Sequence, residues 1–151
     1  MISSRGLREL DEVGRNDMEA GRKRHLLVLL RARKDKTFRA TTSGRAIVGG
    51  TEVERVLIDF AGERMTLGIE PATNSIRSLS YSGRGPGGAV GEVLREYSDY
   101  REVNGLRLPF KVTASFQGTP WGRYSPTVAS LVLNPSVDAL AFERPKEKIQ
   151  P

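Results

Sequence analysis

The 151-residue chain contains no cysteine, so neither a disulfide framework nor a thiolate metal site can form. That absence leaves the compartment open, because an oxidising space permits disulfides without requiring them. There is one histidine, His25; an imidazole metal site or a Ser-His-Asp relay would have to run through it alone, and no nucleophile-elbow sequence accompanies it. The longest apolar run, Leu26–Leu30, falls far short of the roughly 20 residues a membrane-spanning helix needs. Its flanks, Arg22-Lys23-Arg24 and Arg31-Ala32-Arg33-Lys34, do not resemble a signal peptide, and no small-residue cleavage site follows. The chain as given is therefore expected to be soluble and to carry no export signal.

Charge is present but unevenly spread. The net charge is +6, of which residues 1–40 carry +5 and residues 41–151 only +1. A basic N-terminal third permits an anionic partner, yet no aromatic residues interleave with those cations as a nucleic-acid stacking platform requires. A solvated basic helix face that can meet a protein partner is the preferred reading of residues 17–34; a nucleic-acid role is set aside.

The hydrophobic period changes once along the chain. Residues 1–16 are polar and read as a flexible leader. From Asp17, a candidate N-cap, the residues Met18, Gly21, His25, Leu29 and Ala32 recur at helical spacing, with Leu26 and Leu30 widening the stripe, so one helix is expected over 17–34. From Phe38 onward the period is two. Val56, Ile58 and Phe60 share one face, and Met65, Leu67 and Ile69 follow the Ala61-Gly62 turn. A strand over 75–82 follows the 71–74 turn. Leu106, Leu108, Phe110, Val112, Ala114 and Phe116 form the clearest alternating face, entered through Asn104-Gly105. A last strand is expected over 124–133, ending at Asn134-Pro135. Short strands joined by tight turns mean an antiparallel meander. The expected class is mostly β: a curved antiparallel sheet forming an unclosed half-barrel, with an N-terminal helix on its concave face. Residues 17–145 would form this single domain and 146–151 a disordered tail.

The catalytic patterns in the sequence are incomplete. Gly83-Arg84-Gly85-Pro86-Gly87-Gly88 spells a dinucleotide fingerprint, but that motif needs its acidic partner at the end of a second parallel strand, whereas Glu102 precedes the next strand. Pro86 also removes an amide donor. A hairpin loop is the preferred reading. Glu92, Glu96, Asp99 and Glu102 are the densest acidic group, but three of them share a strand parity that faces solvent more readily than a pocket. No catalytic residue, metal or cofactor is therefore expected.

Two C-terminal segments resemble a known family. Residues 97–113, Tyr-Ser-Asp-Tyr-Arg-Glu-Val-Asn-Gly-Leu-Arg-Leu-Pro-Phe-Lys-Val-Thr, are similar to a hairpin recurring in bacterial outer-membrane lipoprotein-sorting (LolA/LolB-like) proteins. Residues 132–145, with Asn134-Pro135, Asp138 and Phe142, resemble the closing segment of the same proteins, and residues 70–77 resemble one of their turns. Similar regions also occur as tails of predicted insulinase-like zinc-peptidase chains, whose His-x-x-Glu-His motif this sequence lacks. The resemblance implies a half-barrel with an apolar cavity for lipid or lipoprotein acyl chains, in a periplasmic or cell-envelope setting. On that basis the expected function is non-catalytic binding of a lipid or acylated protein between sheet and helix. The alternation nominates Leu26 and Leu30 from the helix, and Ile58, Leu67, Ile69, Phe110, Val112 and Phe116 from the sheet. The alternative is an accessory protein-interaction domain, such as the C-terminal portion of a peptidase-like chain.

Overall fold

The structure is a computed structural model that describes residues 2–3, 6–7 and 10–138. The expected tail over 146–151, the end of the 132–145 segment and part of the leader lie outside the described residues. Two short strands, β1 (Ile2–Ser3) and β2 (Gly6–Leu7), pair antiparallel. Helix α1 (Glu12–Lys23) and helix α2 (Leu26–Ala32) follow. Then come β3 (Arg39–Val48), β4 (Thr51–Phe60), β5 (Glu63–Glu70), β6 (Ser75–Arg84), β7 (Val90–Val103), β8 (Leu106–Phe116) and β9 (Thr119–Pro120). These seven strands form one antiparallel sheet in sequence order, open at β3 and β9. The expected unclosed sheet with helical cover is present.

Tight turns explain the meander. The hairpins at Gly49-Gly50, Ala61-Gly62, Asn104-Gly105 and Gln117-Gly118 all hold both central residues at positive φ, the geometry that matches the right-handed twist of the flanking strands. Residues 86–88, within the would-be dinucleotide fingerprint, form one 3-10 turn joining antiparallel β6 to β7. No parallel strand exists there to receive a nucleotide.

Cross-strand partners share a face, so the ladders trace rows across the sheet. One row runs Val56, Leu67, Leu79, Arg95, Ala114; its neighbour runs Ile58, Met65, Tyr81, Val93, Phe116. Leu29 of α2 packs with Ile58, Met65, Leu67, Leu79 and Tyr97 to form the core, and Phe38, Val56 and Phe60 flank it. On the other face of β5, Gly68 accommodates Val53 and Ser78: a Cβ there would lie 2.4 Å from Ser78 Oγ and 3.0 Å from Val53 Cγ2.

Two expectations need correction. The helix predicted over 17–34 is two helices, and the first opens six residues before Asp17's expected first turn, at Glu12. Asp11 caps it, accepting from Gly14 N–H at 2.7 Å through Oδ1. Arg24 closes α1 and His25 is extended (φ −72°, ψ 130°). No helix breaker stands there; the side chain of Arg24 is instead held by the sheet, as described below. The strand predicted over 124–133 does not form. After β9, a 3-10 turn at Gly122–Tyr124 leads into a segment that touches the β8 edge at single points: Val112 N–H donates to Pro126 O at 3.0 Å, Val128 N–H to Phe110 O at 2.7 Å, and Ala114 N–H to Ser125 Oγ at 3.0 Å. Pro126 has no N–H to donate, which prevents a regular ladder.

Candidate functional site

The sheet and the helices do not meet along their whole length. Between the start of α2 and strands β7 and β8 lies a cleft of about 360 Å³. Its helical wall is Arg24, His25, Leu26 and Leu27; its sheet wall is Arg95, Tyr97, Leu108, Pro109 and Val112; its third wall is Tyr124, Pro126 and Leu131 from the segment after β9. The contacts of that segment with the β8 edge fix the third wall, and the break at His25 sets the angle of the helical one. Nine of the twelve lining residues are aliphatic, aromatic or proline.

Arg24 fastens the helical wall to the sheet. Its Nη2 lies 2.5 Å and its Nε 3.0 Å from Glu63 Oε2, and both side chains are largely buried. The guanidinium also sits 4.1 Å from the Tyr81 ring centroid, a favourable cation–π distance. Lys23 Nζ donates to Ala61 O at 3.0 Å beside it. Burial pushes the Tyr97 phenol up to about 12, opposed by the neighbouring Arg95 guanidinium, so Tyr97 remains a neutral wall residue. Tyr100, also raised to about 12 by burial, donates its hydroxyl to Ile76 O.

The nominated groove residues divide into groups. Leu26 and Val112 line the cleft. Ile58 and Leu67 are buried in the packed core, and Ile69 packs against that core. Phe110 is buried, with Arg101 Cζ 4.6 Å from its ring centroid. Phe116 packs edge-on against Trp121 at 6.0 Å in a separate recess of about 270 Å³. Leu30 is 55% exposed and is not among the residues lining the cleft. Strand parity nominates six sheet residues, of which Val112 lines this cleft and Phe116 the separate recess. It also passed over Arg95, although Val93-x-Arg95-x-Tyr97 places a cation on an inward parity between two apolar residues.

Two of the acidic groups are held by neighbouring donors. The Glu70 carboxylate is lowered by the Thr73 hydroxyl, with Arg77 assisting, and the Asp99 carboxylate by Arg101. Among the described residues no group of three His, Asp or Glu side chains is placed to hold a metal ion, and no helix is long and apolar enough to cross a membrane.

No protein-family model matches the chain. No curated protein matches its sequence either. Among solved structures the chain is similar to a domain from Vibrio parahaemolyticus, provisionally described as an outer membrane lipoprotein-sorting protein, with a TM-score of 0.42 and 10% sequence identity. The similarity covers 56% of this chain and 37% of that one, and a likeness so partial carries no argument about function.

Proposed function

We propose that this domain is a non-catalytic binder of a single apolar chain, held in the cleft between α2 and strands β7 and β8. The observation that carries this reading is the cleft itself: about 360 Å³, walled mainly by apolar side chains. Ligand sites of small molecules run from roughly 300 to 1,000 Å³ and are lined in the same way. A volume at the low end suits one acyl chain and argues against several chains side by side. The resemblance of residues 97–113 and 132–145 to lipoprotein-sorting proteins supports a lipid or an acylated protein as the source of that chain, and a cell-envelope setting.

The test is native mass spectrometry of the protein purified from a bacterial host, followed by organic extraction. A co-purifying lipid of one-to-one stoichiometry is the expected result. A clean apo mass that persists after incubation with acyl lipids would remove the reading.

A second reading is favoured by one feature. Strand β3 is an edge strand, exposed along almost its whole length, and such an edge can accept a strand from a partner protein. An accessory interaction domain would use that edge together with the basic helical region, and would bind an acidic partner in a salt-sensitive way while taking up no chain.

A further inference from the structure

Arg95 stands where a hydrophobic residue is expected. It belongs to the row Val56, Leu67, Leu79, Arg95, Ala114 on the helix-covered face, and its strand neighbours on that face, Val93 and Tyr97, are both buried. Its Cζ lies 5.5 Å from the Tyr81 ring centroid, and its charge acts on the Tyr97 phenol. Among the described residues it forms an ion pair with no carboxylate. Arg24, the other guanidinium of the cleft, differs: Glu63 matches its charge at 2.5 Å. Arg95 is half-buried, and a partly desolvated guanidinium gains from a counter-charge, so an unmatched cation on the wall of an apolar cleft favours a ligand that brings the missing charge.

We infer that the cleft takes a long-chain carboxylate, with its head on the Arg95 guanidinium and its chain along Leu26, Val112 and Leu131. This rests on the chain-binding reading above and adds the head group to it. The guanidinium is a planar fork that meets a carboxylate through two parallel hydrogen bonds. One unmatched cation suits a monoanion. Among the described residues lining the cleft, the other guanidinium, Arg24, already has its counter-charge in Glu63, so a phosphate dianion would be only half matched.

The experiment is isothermal titration of the whole chain, stripped of lipid, with dodecanoate, dodecanol and dodecyl phosphate, each below its micelle concentration. Dodecanoate should bind about tenfold more tightly than dodecanol, the gain of one charge-assisted pair. In Arg95→Gln that ratio should fall to near one. Arg95→Lys, which keeps the charge but loses the fork, should give an intermediate ratio and serves if the Gln variant disturbs the fold as seen by circular dichroism. Equal binding of dodecanoate and dodecanol by the unaltered protein would overturn the head-group inference and leave chain binding standing. An undiminished preference in Arg95→Gln would overturn the role of Arg95. Tighter binding of dodecyl phosphate than of dodecanoate would overturn the choice of carboxylate. Binding of none of the three would remove both this inference and the chain-binding reading beneath it.

Discussion

The layer between helices and sheet is packed at one end and open at the other. At the packed end Leu29 meets Ile58, Met65, Leu67 and Leu79, long aliphatic side chains that alternate across β4, β5 and β6 and fill the space. At the open end the row through Leu67 and Leu79 arrives at β7 and β8 as Arg95 and Ala114, with Val112 across from Tyr97 beside it: a charged residue and two short aliphatic ones. There Leu26 and Leu27 of α2 line the wall of a cleft opposite β7 and β8. The backbone ladder is continuous through both ends. Side-chain volume and charge at a few inward positions therefore decide whether the layer is core or site.

Substitutions at the two ends should separate them. Leu79→Ala, at a fully buried position, should cost about 3 kcal/mol in chemical denaturation, from lost transfer energy and the cavity left behind. Val112→Ala, beside existing space, should cost about 1 kcal/mol. Equal losses would erase the distinction between core and cleft.

Alkali probes the boundary between the two ends, where Tyr97 sits. Its folded value is raised from 10.0 to about 12, so the fold favours the neutral phenol. The unfolded chain ionises first as pH rises. The associated stability is fully present below about pH 10 and is lost as the pH climbs toward 12, a loss of roughly 2–3 kcal/mol for a shift of this size. Tyr97→Phe should flatten that part of the stability profile measured by denaturant titration, leaving the contribution of Tyr100. An unchanged slope between pH 10 and 12 would place Tyr97 in contact with water.

The Arg24–Glu63 pair holds the helical wall in place. Glu63→Gln removes the counter-charge of a largely buried guanidinium and should cost about 1–2 kcal/mol by thermal or chemical denaturation, with a double-mutant cycle against Arg24→Met recovering part of it. The smallest effect belongs to Leu30→Ser. Because Leu30 is exposed, the change should stay within about 0.5 kcal/mol; a loss comparable with that of Leu79→Ala would mean that α2 presents a different face.

Much of the sheet was legible because period two is a direct consequence of the pleat. Val56-x-Ile58-x-Phe60, Met65-x-Leu67 and Leu108-x-Phe110-x-Val112 announced an inward face, and Ala61-Gly62 and Asn104-Gly105 announced positive-φ hairpins. The break at Arg24 and His25 was not legible. Nothing local opposes a helix there, and the cause is a contact with Glu63 and Tyr81, 39 and 57 positions away in sequence. The segment after β9 misled for a related reason: its apolar residues suited a strand, but Pro126 withholds a donor and the chain only touches the β8 edge. The cleft inherits both uncertainties, since one wall depends on the helix break and another on that segment. Leu26 and Val112 could be found from spacing, whereas Tyr124, Pro126 and Leu131 became visible only with the fold.

The central claim is that the open end receives an apolar chain, and the direct measurement is fluorescence titration with N-phenyl-1-naphthylamine, a neutral apolar probe. The unaltered protein should show saturable uptake at one probe per chain, competed by an acyl lipid. Val112→Asp, which places a carboxylate on the cleft wall, should lose that uptake while circular dichroism shows the fold intact. Unsaturable or absent uptake by the unaltered protein, or full uptake by the folded Val112→Asp variant, would contradict the account.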